Sequence, residues 1–187
     1  MNNVLELIKK RRSTRAFKSE QIKHEELDQI LEAGIWAPSG HNMQPWHFLV
    51  IQNQELINEL NNDTKEVLKD FHIEEFRKMG YSENLNIFYN APTLVLALYD
   101  EKGLTPIQDI SAASQNMLIM AESLGVGACW NGLITIGLEN KAMAKKYTEK
   151  LNVPNGYKIY HGIVLGYAKN EILRGPQRKE NTVTFIR

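Results

Sequence analysis

One cysteine, Cys129, stands in a chain of 187 residues. That excludes an intramolecular disulfide, and any iron–sulfur cluster held by this chain alone. The five histidines, His24, His41, His47, His72 and His161, include no His-x-x-x-His pair and no close His–Cys pair. A zinc site of the usual spacing therefore has no support. No apolar run approaches the roughly 20 residues of a membrane-spanning helix. The first residues lack a charged-then-apolar leader, so cytoplasmic residence without a membrane partner is the expectation. Charge of neither sign is in excess: 22 basic side chains face 22 acidic ones. Nothing global draws the chain to nucleic acid, and any anion recognition must be local. No Gly-Lys-Ser/Thr phosphate loop is present. The run Gly125-Val126-Gly127 lacks the third glycine of a dinucleotide fingerprint, because residue 130 is tryptophan. It also follows a helical pattern rather than a strand.

What remains is an ordinary globular composition, 43% hydrophobic and 24% charged, expected to form one domain over residues 1–187. Asn2 or Asn3 can cap a first helix carrying Val4, Leu5, Leu7 and Ile8. A second helix reads from about residue 25 to 36 and stops before Pro38. Apolar runs predict strands over residues 46–52, 93–99 and 157–167, the middle one buried on both faces. Residues 54–69 read as a polar helix, and 109–124 as a buried one striped by Ile110, Ala113, Met117, Met120, Ala121 and Leu124. One further helix is expected over 138–151. Residues 71–90 form either a lid over a pocket or a peripheral helix pair packed on the body. The tail carries Ile172, Arg174, Arg178 and Lys179, then a β-favouring run over 182–186. Strands and helices interleave, which gives an α+β or α/β sandwich around one sheet of four or five strands.

Two stretches carry chemistry. Arg11-Arg12-Ser13-Thr14-Arg15-Ala16-Phe17 gathers three guanidinium groups and two hydroxyls, a set suited to phosphate oxygens, although a solvated basic helix end has the same composition. Ala37-Pro38-Ser39-Gly40-His41-Asn42-Met43-Gln44-Pro45-Trp46 has the small and amide residues that let backbone approach a flat ligand, and also those of a plain turn. Together, in this order, the two resemble the signatures of the nitroreductase family of FMN-dependent oxidoreductases. The resemblance continues through residues 125–132 and 162–167.

The resemblance implies an α+β sandwich with a central mixed sheet flanked by helices, and an intertwined homodimer whose C-terminal strand, here residues 182–186, joins the partner's sheet. It implies FMN as cofactor and NADH or NADPH as electron donor. The acceptor would be a nitroaromatic, quinone or similar electron-poor small molecule. Dehalogenation, flavin fragmentation, enoyl or aldehyde reduction, and flavin binding without efficient turnover are the alternatives within the same fold. By position, Arg11, Arg12 and Ser13 serve phosphate and ribityl chain, and Arg15 the N1/O2 edge of the ring. Arg178 or Lys179 also meets the phosphate. Trp130, Asn131 and Gly132 face N5 and the dimethylbenzene side. Pro38, Ser39, Gly40, Asn42 and Gln44 come from the second subunit. Gly40 replaces a hydroxyl residue common in the family, and Asn131 stands where many relatives carry glutamate. No protein nucleophile is needed, so Cys129 reads as a buried small hydrophobe.

Overall fold

The computed structural model describes residues 3–170 and 175–187. Its strands are β1 Trp46–Ile51, β2 Thr93–Asp100, β3 Gly127–Asn131 and β4 Tyr157–Gly166. They form one sheet in the order β1-β2-β4-β3, and every ladder is antiparallel. The one parallel pairing among the described residues is the isolated bridge Ser13–Ala128. The mixed character expected of the sheet is confined to it.

β2 is central and apolar on both faces, and its alternation splits the core. Leu94, Leu96 and Leu98 pack with Ile57, Leu60, Leu68 and Tyr147 of helices α3 (Gln54–Lys69) and α7 (Lys141–Lys150). Val95 packs on the opposite face with Ile30 of α2 (His24–Ile35) and Met117 of α5 (Pro106–Ser123). Each fully buried leucine of this kind contributes about 1.5–3 kcal/mol. α5 is buried along Ile110, Ala113, Met117 and Ala121, as its stripe predicts. It ends in a left-handed Gly125 (φ +72°), with Gly125 N–H on Glu122 O and Val126 N–H on Ala121 O. That pair of bonds is the glycine stop read from sequence.

Two elements differ from expectation, and at a third one of two alternatives holds. The segment 127–131 is a strand, hidden in sequence behind two glycines and small side chains of low β-propensity. The helix expected over 138–151 is α7, and a further helix not expected, α6 (Leu133–Glu139), precedes it, parted from it at Asn140. The Asn140 side chain accepts from the N–H groups of Ala142 and Met143, capping α7. Residues 71–90 are packed on the body: α4 (Glu74–Tyr81) lies on α3, and Ile87 and Phe88 are wholly buried in the core. Gly80 makes this possible, since a Cβ there would stand 2.7 Å from the Lys69 backbone nitrogen.

α1 (Asn3–Lys10) buries no residue, and Leu5 and Ile8 are exposed. The tail residues Val183, Phe185 and Ile186 are exposed too, and 182–186 joins no strand of its own chain. Asn2, Ile172 and Arg174, named above from sequence, lie outside the described residues. No helix among the described residues is long and apolar enough to cross a membrane.

Candidate active site

After α1 the backbone is extended from Arg11 onward and runs along the edge of β3. Thr14 N–H donates to Ala128 O at 2.9 Å, Lys18 N–H to Tyr167 O at 2.8 Å, and Phe17 is buried against the end of the sheet. Extended backbone turns alternate side chains to opposite faces. Arg11, Ser13 and Arg15 therefore share one face, and Cys129 lies beside all three. Burial pushes the Cys129 thiol up, while Arg15, a Ser13 hydrogen bond and Arg11 pull it the other way. The net rise keeps the thiol protonated. A Cys129→Ala variant should therefore keep turnover close to wild type and lose only ~1 kcal/mol of stability to the small cavity. Steady-state assay with a thermal melt checks both.

Arg12 and Thr14 take the other face. They line a small cavity of about 170 Å³ with Lys10, Glu122 and Gly127. The Arg12 guanidinium donates to the carbonyls of Lys9 and Arg11, both at 2.7 Å, and packs against Gly175, where a Cβ would come within 2.5 Å of it. The structure thus parts Arg12 from Arg11, Ser13 and Arg15. Extended backbone past the end of α1 puts Arg11 and Arg12 on opposite faces. Arg178 and Lys179 lie exposed on the tail beyond Gly175.

β3 delivers Trp130 and Asn131, and Gly132 caps α6. The Trp130 ring stacks on His161, centroids 3.9 Å apart and planes at 19°. His161 is only 1% exposed and shares a 2.8 Å hydrogen bond with Ser114 Oγ through Nε2. Burial drives its pKa down to about 3, so the ring is neutral at ordinary pH. His161 faces α5 by the ordinary alternation of β4, in line with Ile163 and Leu165. A β-bulge follows on its N-terminal side: Ala97 pairs with His161 but Leu98 with Ile159, so Tyr160 is extra and Ile159 packs on the α3 side.

The Asn131 side chain is not free for a ligand. It is 2% exposed, donates from Nδ2 to Ile87 O, and accepts from Ile134 N–H at 3.4 Å. It ties β3 to the segment before β2 and to the first turn of α6. What it can offer a ligand is backbone. Gly132 is exposed, and a Cβ there would meet nothing within 4 Å.

The loop 38–44 sits between α2 and β1. Pro38, Asn42 and Gln44 are exposed, and Ser39 and Gly40 are half-buried. His41 (φ +51°), Asn42 (φ +55°) and Gln44 (φ +49°) all adopt left-handed backbone, at a cost on the order of 1 kcal/mol each. The loop binds itself: Gln44 N–H donates to Ser39 Oγ at 3.0 Å, and Gln44 Nε2 to Asn42 Oδ1 at 3.1 Å. This loop abuts the start of β1, whereas Arg11, Ser13 and Arg15 border β3. β1 and β3 are the two outer strands of the sheet, three strand spacings or about 14 Å apart. One chain does not bring the two groups together.

A family model described as "Nitroreductase family" matches residues 8–167. A relative from Archaeoglobus fulgidus, named "Putative NADH dehydrogenase/NAD(P)H nitroreductase", is 32% identical over 172 residues, covering 91% of this chain and 88% of its own. A solved nitroreductase with bound FMN from Bacteroides fragilis is 34% identical, covers 100% of both chains, and superposes with a TM-score of 0.91. A second, also with bound FMN, from Desulfitobacterium hafniense, is 27% identical with 100% coverage of both and a TM-score of 0.89. The fold is that of an FMN-type oxidoreductase scaffold, and the chain belongs to the nitroreductase family.

Proposed function

We propose that this protein is an FMN-dependent oxidoreductase that uses NADH or NADPH to reduce nitroaromatic, quinone or similar electron-poor small molecules. The observation that carries the reading is the single face made by Arg11, Ser13 and Arg15 along the β3 edge. Two guanidinium groups and a hydroxyl on one side of an extended strand fit a phosphate and the electron-rich edge of a reduced ring. The open backbone at Gly132 fits the close approach of a flat ring system. When bound, FMN would supply the hydride chemistry that links the nicotinamide to the acceptor. Arg11 and Ser13 would hold the phosphate and ribityl chain, and the tail would bring Arg178 or Lys179 to the same phosphate. Arg15 would serve the N1/O2 edge of the ring, where a guanidinium favours the negatively charged, reduced form. Asn131 acts through its backbone, so its difference from glutamate leaves the cofactor contact intact. Arg12 does not touch the cofactor through its side chain; it packs on the tail.

The site is completed in a homodimer. Pro38, Ser39, Gly40, Asn42 and Gln44 reach the flavin of the neighbouring copy, because within one chain they stand at the other edge of the sheet. An apolar groove of about 620 Å³ lined by Leu7, Ala33, Trp36, Ile119 and Met120 gives a second copy something to cover. Trp36 alone is 77% exposed. The exposed run 182–186 supplies an extended segment for the partner's sheet, and a two-fold axis makes both exchanges reciprocal. Complementation tests this. One variant carries Arg11→Ala and Arg15→Ala, and another carries Asn42→Ala and Gln44→Ala. Each alone binds FMN poorly. Co-expressed as tagged mixed dimers they regain activity, because one site per dimer then holds neither defect. Mixed dimers as inactive as the parents contradict the shared site.

A further inference from the structure

Asp109 belongs to no signature, yet it is 5% exposed at the first turn of α5. Its Oδ1 accepts from the Gly40 N–H at 3.2 Å and from the Thr105 hydroxyl at 3.0 Å. Its Oδ2 is buried and meets no donor among the described residues. Gly40 opens the short 3-10 turn Gly40–Asn42. The residue placed to cap that turn, Ser39, makes no cap with its side chain, because Ser39 Oγ is taken by Gln44 N–H. The negative group at the start of the turn comes instead from another element, 69 residues on. A carboxylate there both accepts the orphan N–H and complements the positive end of the turn. Gly40 itself has no room for a side chain. A Cβ would stand 2.6 Å from Thr105 Oγ1, and Thr105 cannot swing away without breaking its bond to Asp109. The Thr105 hydroxyl thus fills the space beside residue 40 that a hydroxyl residue would enter.

We infer that Asp109 and Thr105 form a clamp that positions the flavin loop. Asp109 fixes the Gly40 backbone, and thereby the left-handed run from which Asn42 and Gln44 project; Thr105 makes glycine obligatory at residue 40. Asp109 is a positioning residue, not a cofactor ligand. The inference rests on the proposed reading that this loop serves the flavin of the neighbouring copy.

Full-length variants decide it, read by FMN titration and by amide hydrogen exchange at Gly40. Asp109→Ala raises the FMN dissociation constant by about tenfold, the loss of one charge-assisted hydrogen bond, and speeds Gly40 exchange. Asp109→Asn, whose amide oxygen still accepts the same bond but without the charge, changes both clearly less than alanine does. Gly40→Ser weakens FMN binding, and adding Thr105→Ala restores part of the loss. The clamp is wrong if the alanine and asparagine variants at 109 behave alike in both readouts, or if Thr105→Ala gives no relief to Gly40→Ser. A wild-type protein that takes up no FMN contradicts the proposed function instead. Gly40 exchange, and the melting temperatures of Gly40→Ser with and without Thr105→Ala, then still decide the clamp.

Discussion

In an Arg15→Ala variant loaded with FMN, the bound flavin becomes harder to reduce. Arg15 stands on the same face as Arg11 and Ser13, beside Cys129, and is exposed on its outer side, open to a ligand. The negative charge it meets exists only after reduction, so its loss destabilises the reduced form more than the oxidised form. One hydrogen bond to a charged group contributes about 1.5–3 kcal/mol. For a two-electron couple that corresponds to a fall of about 30–60 mV in midpoint potential. Anaerobic titration against a dye of known potential reads it. An unchanged potential in the fully loaded variant would remove Arg15 from the ring edge. Arg12→Ala, whose guanidinium points to the other face, should leave the potential where it was.

Acid lowers the stability of this fold through His161. The ring is neutral in the folded state, with a pKa of about 3 against an ordinary value of 6.5. Below 6.5 the unfolded chain takes up a proton that the folded chain refuses. The unfolded state then binds more protons, so stability rises with pH across the window between about 3 and 6.5. The slope is about 1.4 kcal/mol per pH unit once the unfolded histidine is fully charged. Carboxylates held low by hydrogen bonds, such as Glu26 bonded to Tyr167, add a loss of the same sign at lower pH. Denaturant titrations of wild type and His161→Phe at a series of pH values isolate the histidine. The difference between them should change with pH inside that window and be flat above it. A parallel pair of curves would mean that the ring accepts its proton in place.

The sequence made the sheet's interior legible because the runs that fill it are long and apolar. β2 alternates between two helix layers and is buried throughout, so pattern and environment agree. β3 was not legible: five residues, among them glycine, alanine and cysteine, earn their place by pairing with β4 rather than by propensity. The phosphate-type cluster could be read from residue types, but not its division. Whether Arg11 and Arg12 act together depends on where the helix ends, and element ends are weakly encoded. Asn131 reads as a polar site residue from its motif, yet its side chain is consumed by Ile87 and Ile134, a contact that only the tertiary fold creates. Asp109 stood out in the sequence only as the first residue of the helix expected over 109–124; its bonds to Gly40 and Thr105 are made by the tertiary fold. His161 alternates with Ile163 and Leu165 on the face toward α5, but its bond to Ser114 and its stacking on Trp130 are made only by the tertiary fold.

The central claim, that the Arg11, Ser13 and Arg15 face is built for a flavin mononucleotide, meets its most direct test in the purified protein's own chromophore. The expected protein is yellow, and heat denaturation releases a flavin that chromatographs as FMN, near one per chain and fully reducible by NADH or NADPH without oxygen. Released FAD, or a protein that stays colourless after incubation with FMN, would contradict the account.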